Sequence, residues 1–323
     1  MKSKWLAVIV CVLFAVALLA AGCGGGEKAE KYPTKPITMY INFGAGGSTD
    51  LSARALAKAA EKSLGVSVVA VNKPGANGVT GVTELKNAPK DGQTIGVITF
   101  ASVSIIPNQT KVPYTPEDFD GIIAYGQYQY CVAVKADSPY KTIADLSKAA
   151  KAKPDGFSFS ASGYPQPFVA NRIGEKDGAK FRYVNFKSGT EVMTALIGGH
   201  VDFTVVTTGD LLPFLKSGEV RILAAAGDKR MPEAPDAPTL KELGYDIAIV
   251  SWLGLGVPAG VPKEKVTVLR EAFKKAAADP EFLNTMKTVN LVPDAMPGDD
   301  FKKKLVDGYK EIGVYFKQIG QQK

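Results

Sequence analysis

Residues 35–65 read KPITMYINFGAGGSTDLSARALAKAAEKSLG. Ile37, Met39, Ile41 and Phe43 alternate with more polar neighbours, the period of a strand with one buried face. Residues 44–50 break that period with glycines and hydroxyls. Leu56, Ala60 and Leu64 then recur four apart, the stripe of an amphipathic helix, and Gly65 supplies its stop. Strand, glycine loop and helix in succession open an α/β fold.

The alternation continues to the end of the chain. Strands are expected at 66–71, 94–100, 122–125, 130–134, 157–162, 181–186, 202–207 and 221–226, with an extended apolar run at 247–257. Helices are expected around Val82 and Leu85, from Thr142 toward Ala152, from near Pro167, and over 191–197, 211–216, 263–278 and 299–319. Thr142 with Asp145, and Thr239 with Glu242, have capping-box spacing. The pattern predicts mostly parallel strands buried under helices. There is no 20–50-residue repeat. No Ser/Gly linker follows residue 31, so two lobes would be joined by crossing strands; 122–128 and 222–226 are the candidates.

The 323-residue chain is 46% hydrophobic and 22% charged, which excludes disorder, a collagen-like polymer and a small disulfide scaffold. Its formal charge of +7 is dispersed. The densest basic run, Lys302-Lys303-Lys304, is followed by Asp307 and Glu311 and reads as a solvated helix face. No RNP-like or zinc-finger pattern accompanies it, so nucleic acid is not an expected partner. With one histidine, His200, in a turn, common zinc sites and a Ser-His-Asp triad are hard to assemble. Neither a Gly-x-Ser-x-Gly elbow nor a His-Glu-x-x-His motif occurs. No catalytic residue, metal or cofactor is expected.

The amino terminus carries an address. Lys2 and Lys4 precede an apolar run over 5–21, then Leu19-Ala20-Ala21-Gly22-Cys23. This is a secretory signal, residues 1–22, whose end resembles a lipobox with Cys23 as the lipidated residue. An uncleaved anchor helix is the alternative; either way the body lies outside the cytoplasmic membrane. Residues 23–31, Gly-rich and charged, read as a tether. Cys11 leaves with the signal, so only Cys131 remains in the body, within an apolar run, as a buried small hydrophobe.

The informative loops follow strands. In 44–50, glycines let main-chain N–H groups turn toward a ligand, and the helix behind adds free donors and partial positive charge. Ser48 and Thr49 add hydroxyls, and Asp50 is expected to brace the loop. No lysine follows the glycines, so this is not a Walker loop, and the third glycine of a dinucleotide fingerprint is missing. Spacing alone leaves an ordinary glycine-rich connector equally open. Thr99-Phe100-Ala101-Ser102, Ser160-Ala161-Ser162-Gly163, Lys187-Ser188-Gly189-Thr190 and Thr207-Thr208-Gly209 repeat the chemistry at other strand ends, where open α/β sheets bind ligands. Together they favour a small anion.

These residues resemble the extracytoplasmic receptors of tripartite tricarboxylate transporters, the Bug family. The resemblance runs from Tyr32 to the C-terminus. It rests on Tyr32-Pro33-Thr34-Lys35-Pro36-Ile37, the Phe43 to Asp50 loop, Asn72-Lys73-Pro74-Gly75-Ala76-Asn77-Gly78, Asp91-Gly92, Gly198-Gly199-His200-Val201-Asp202, Trp252-Leu253-Gly254-Leu255 and Val257-Pro258-Ala259-Gly260-Val261-Pro262, in that order. It implies a type II periplasmic-binding-protein fold: two Rossmann-like lobes, 32–123 plus 227–323 and 124–226, joined by two crossing strands around a cleft. It also implies a monomer without cofactor that carries a carboxylate-bearing solute to membrane permease subunits. A ligand-sensing lipoprotein and a lipid-anchored enzyme are the competing readings.

The family's grip on a carboxylate is carried onto Gly46, Gly47, Ser48, Thr49, Thr99 and Ser102. Phe43 and Asp50 flank them. Ser160, Ser162, Gly163, Ser188, Gly189, Thr190 and Thr207 are the second-lobe candidates. The sequence departs from the family after Gly163, where Tyr164-Pro165-Gln166-Pro167-Phe168 stiffens the loop and enlarges its apolar side. That departure points to an aromatic or bulky carboxylate.

Overall fold

A computed structural model describes residues 32–153, 156–186 and 188–318. The expected signal segment, the lipidation site Cys23, the tether and Lys187 lie outside the described residues.

The opening unit forms as its sequence dictates. Strand β1 (Ile37–Ile41) buries Ile37, Met39 and Ile41, and helix α1 (Ser48–Leu64) buries Ala53, Leu56, Ala57, Ala60 and Leu64 on the facing stripe. Gly65 ends α1 in the left-handed region, φ 69°, its N–H closing on the Glu61 carbonyl. Burying each large aliphatic side chain contributes roughly 1.5–3 kcal/mol. Strands β2 (Val68–Asn72) and β3 (Thr94–Thr99) flank β1 in parallel, and helix α2 (Val79–Lys86) lies between them in sequence.

Strand β4 (Phe119–Lys135) is one 17-residue strand where two short ones were expected. Gly126 does not interrupt it. A Cβ at that position would lie 2.3 Å from Met286 Cε, so the glycine makes room for a packed side chain rather than a turn. The amino-terminal part of β4 pairs with β9 (Val250–Pro258) and β10 (Val292–Pro297), and its carboxy-terminal part with β7 (Phe203–Thr207) and β8 (Val220–Ala225). All four pairings are antiparallel, so the sheet is mixed rather than mostly parallel. Parallel order survives at its flanks, where β5 (Ser158–Ala161) runs beside β6 (Arg182–Asn185) and β7. The main path is β2-β1-β3-β9-β4-β7-β5-β6, with β8 and β10 pairing β4 off it.

Helices α3 (Ile143–Ala152), α4 (Gln166–Asp177), α5 (Gly189–Ile197) and α6 (Thr208–Lys216) cover the second lobe. Helices α7 (Lys263–Ala276), α8 (Pro280–Thr288) and α9 (Gly298–Gln318) complete the first. Ile37, Leu56, Leu255, Phe273 and Phe282 share one core; Val132, Phe159, Phe203 and Leu240 share another.

One expectation about the crossings changes. The outgoing strand, expected at 122–128, is part of β4. The return, expected at 222–226, is β9 instead, because β8 remains paired with Cys131 to Lys135. Leu240, Tyr245, Ile247 and Ile249 pack into the second core, and Ile249 N donates to Ala226 O at 2.6 Å. Residues 240–249 therefore belong with the second lobe by packing, not the first. A third bridge is α9, which buries Phe301 and Leu305 in the first lobe and sets Tyr315 against Phe168, ring centroids 4.5 Å apart, on α4.

Candidate functional site

Loop 42–47 is held from behind. Asp50, in the first turn of α1 and 3% exposed, accepts from Gly46 N at 2.9 Å, Arg54 Nε at 2.8 Å and Asn72 Nδ2 at 2.8 Å. Asn72 Nδ2 also donates to Phe43 O at 3.0 Å. Burial alone would raise the Asp50 pKa; the bonds from Gly46, Asn72 and Arg54 outweigh it and hold the carboxyl below its ordinary value. With its acceptors occupied by the loop, Asp50 is a brace, the role its position in sequence predicted.

The loop's open side has room. Gly46 needs its φ of 82°, which side chains rarely adopt, whereas Gly47 is extended. A Cβ at Gly44 or Gly46 would meet nothing within 4 Å. Phe43 turns its ring toward Gly78, a Cβ there lying 3.4 Å from Phe43 Cζ. Ser48 and Thr49 reach the crossing strand: Tyr128 Oη lies 3.2 Å from Ser48 Oγ and 2.7 Å from Thr49 Oγ1. Burial raises the Tyr128 pKa, and the nearby Asp210 charge adds to that against the lowering by the two hydroxyls, so the phenol stays neutral.

Thr99 and Ser102 turn their hydroxyls inward. Thr99 Oγ1 donates to Ser102 Oγ at 2.9 Å, Ser102 N donates to Thr99 Oγ1 at 3.0 Å, and both residues are buried. They fasten the start of a wide π-helical turn, Ala101–Ile105. The polar groups such a turn leaves for a ligand are first-turn main-chain N–H groups.

In the second lobe, Ser160 is inside the sheet, 0% exposed, with Oγ toward Val192 O at 3.4 Å. This corrects its expected place at a loop: β5 is buried along its whole length. Ser162 accepts from Gln166 Nε2 at 3.3 Å, and Gly163 adopts φ 105° facing open space. Ser188 caps α5 by accepting from Glu191 N, and Thr190 is exposed. Thr207 caps α6 and donates to Asp210 Oδ2 at 2.5 Å. Gly189 carries no ligand-sized space of its own: a Cβ there would lie 2.1 Å from Asp210 Cγ.

A cavity of about 420 Å³ joins the lobes, lined by Ser48, Tyr128, Thr207, Gly209, Asp210 and Asn290 among others. Its size is that of a small-molecule site. It opens on the N-termini of α1 and α6, from opposite lobes, where N–H groups lack intrahelical acceptors and partial positive charge collects. Of the expected residues, Ser48 and Thr207 line it, and Thr49 joins through Tyr128. A larger cavity, about 620 Å³, lies between α9 and the second lobe and is lined by Phe100, Phe168, Trp252, Lys304 and Tyr315 among others. Phe168 comes from the stretch expected to enlarge the apolar side of the site; none of the residues expected to grip the carboxylate lines this cavity.

Tyr164 and Phe168 are spoken for. Phe168 packs edge-on against Tyr315, Tyr164 against Phe316, and Asn171 Nδ2 donates to Tyr315 Oη at 3.2 Å. They clasp α9, and Phe168 at the same time lines the larger cavity. Sequence reasoning missed Arg54, Tyr128, Asp210 and Asn290. Asn72 stood in a quoted motif without a role; Arg54, Tyr128 and Asp210 sit inside regular elements, Asn290 in the turn after α8, and none carries a local signal. Cys131 is buried, with Sγ 3.8 Å from Val206 O, and burial pushes its thiol up to about 12. Among the described residues no group of His, Cys, Asp or Glu is placed to hold a metal.

Two α/β lobes whose helix N-termini meet across a small cavity define a solute-binding receptor of the type II periplasmic class. The chain belongs to the tripartite tricarboxylate transporter receptor family: residues 52–321 match TctC, described as "Tripartite tricarboxylate transporter family receptor". These are periplasmic solute receptors, not enzymes. The UPF0065 protein in gbd 5'region of Cupriavidus necator is 33% identical over 94% of this chain and 93% of its own. A TctC solute-binding protein from Polaromonas superposes with TM-score 0.80 at 28% identity, covering 89% of this chain and 99% of that one. The periplasmic binding protein BugD does so with TM-score 0.73 at 29% identity, over 90% and 99%. At 21% and 24% identity, MatC with bound malate and a second Rhodopseudomonas palustris protein with adipate share the fold, with TM-scores of 0.72 and 0.75 over 88% and 90% of this chain and 99% and 98% of theirs. Among the described residues no helix is long and apolar enough to cross a membrane.

Proposed function

We propose that this protein is an extracytoplasmic receptor, tethered by lipid at Cys23 and acting as a monomer, that captures a carboxylate-bearing solute between its lobes. It delivers that solute to the permease subunits of a tripartite tricarboxylate transporter. One observation carries the reading: helix N-termini from opposite lobes, at Ser48 and Thr207, line the same cavity.

Desolvating a carboxylate is costly unless several aligned donors meet its lone pairs. The first turn of α1, the Ser48 hydroxyl and the N–H groups after Thr99 supply them on the first lobe. Gly46, Gly47 and Thr49 shape that grip. Ser162, Gly163, Ser188, Thr190 and Thr207 read the remainder of the solute from the second lobe. Closure about β4 and β9 shifts the population toward a form the permease distinguishes. Malate and adipate in two proteins of the same fold support a small organic acid as cargo.

The test is mass spectrometry of the small molecules released on denaturing the purified protein, followed by melting with the acid identified. At a hundredfold excess over Kd the acid should stabilise the fold by about 2.7 kcal/mol. Release of a non-acid, with no carboxylate shifting the melting point, contradicts the proposal. Metabolic labelling with a radioactive fatty acid tests the tether: the wild-type protein should take up label and Cys23→Ser should not, and an unlabelled wild-type protein would refute lipid anchoring.

A further inference from the structure

The interlobe cavity is polarised, and the polarity constrains what fills it. Toward the first lobe stands the N-terminus of α1, with Asp50 withdrawn behind the loop and bonded to Gly46, Arg54 and Asn72. That side suits an anion. Toward the second lobe stands Asp210, the one acidic side chain among the described residues lining the cavity. Its place is fixed. Thr207 Oγ1 donates to Oδ2 at 2.5 Å, and both carboxylate oxygens lie over Gly189, within 2.4 Å of where a Cβ would sit. Only a glycine at 189 leaves Asp210 that space.

A carboxylate accepts hydrogen bonds and repels a second carboxylate. An unsubstituted acid reaching across the cavity would offer Asp210 either repulsion or an unpaired contact. A hydroxyl or ammonium group would offer it a donor.

We propose that Asp210 is the specificity-determining residue of the site and selects acids that also carry a hydrogen-bond donor: hydroxy and amino acids over unsubstituted ones. This rests on the receptor reading above. Thr207 and Gly189 act through Asp210, the first by holding one oxygen and the second by leaving room.

The experiment is calorimetric titration of the mature protein with three matched sets of acids. They are propionate, L-lactate and L-alanine; succinate, L-malate and L-aspartate; and glutarate, L-2-hydroxyglutarate and L-glutamate. Within each set only the C2 substituent changes. In the set that binds, a hydroxy or amino member should bind at least about tenfold tighter than its unsubstituted partner. Asp210→Asn should cut that ratio to about twofold, because the amide removes the charge and half the acceptor capacity. An unsubstituted acid that binds wild type as tightly as its substituted partners overturns the inference and leaves the receptor reading standing. So does Asp210→Asn with the ratio intact. Should the variant fail to fold, the wild-type ratio alone decides. If no acid in any set binds, the inference falls, and the receptor reading is decided separately by the co-purified solute.

Discussion

Asp50 makes the glycine loop a preformed structure rather than a slack connector. Its carboxylate gathers donors from three places in the chain, Gly46, Arg54 and Asn72, and is itself only 4% exposed at the side chain. Its folded pKa is depressed, so it stabilises the native state above its unfolded pKa, and that contribution is lost as pH falls through the lower folded value. Asp50→Asn should cost about 2 kcal/mol at pH 7, discounted because Arg54 is 43% exposed. Urea unfolding of the two proteins checks this. The difference should shrink toward zero once acid protonates wild-type Asp50; a difference that persists at acid pH would mean that charge is not what braces the loop.

Elements show where sequence and structure agree and why they part. The Thr142 box forms both reciprocal bonds and opens α3. Thr239 and Glu242 form theirs too, at 3.0 and 2.7 Å, yet only turns follow. A capping box satisfies donors at a chain reversal whether or not a helix continues. Strand β4 was legible only in pieces, because Gly126 reads locally as a break; Gly126 and Gly121 in fact serve close packing. At Gly121 the approach is extreme: an added Cβ would lie 2.2 Å from the Gly298 carbonyl oxygen, at the start of α9. Backbone against backbone has no side chain to yield. Gly121→Ala should therefore destabilise the protein by about 3 kcal/mol or more, read from its thermal or urea midpoint. A midpoint within error of wild type would show that α9 can lift off β4 at no cost.

Across the whole molecule, periodicity placed most helices and most strands, though not α8 or β10, and the ordered motifs named the family. What escaped is what sequence distance hides. Tyr128 is 79 residues from Thr49, and Tyr315 is 144 from Asn171, yet each pair shares a hydrogen bond. Ser48 and Thr207, singled out from sequence, line the smaller cavity. Ser160 looked like a strand end and is buried inside β5, and Phe168 lines the larger cavity while its ring also clasps α9, a contact no local pattern shows. Everything proposed for the site requires the solute's carboxylate to lie at the N-terminus of α1. The decisive measurement is a crystal structure of the protein filled with its co-purified acid. Carboxylate oxygens within hydrogen-bond distance of the main-chain N–H groups at 47–49, and solute density extending toward Asp210, are the predicted result. An acid seated instead in the chamber beside Phe100 and Trp252, with the glycine loop untouched, would contradict it.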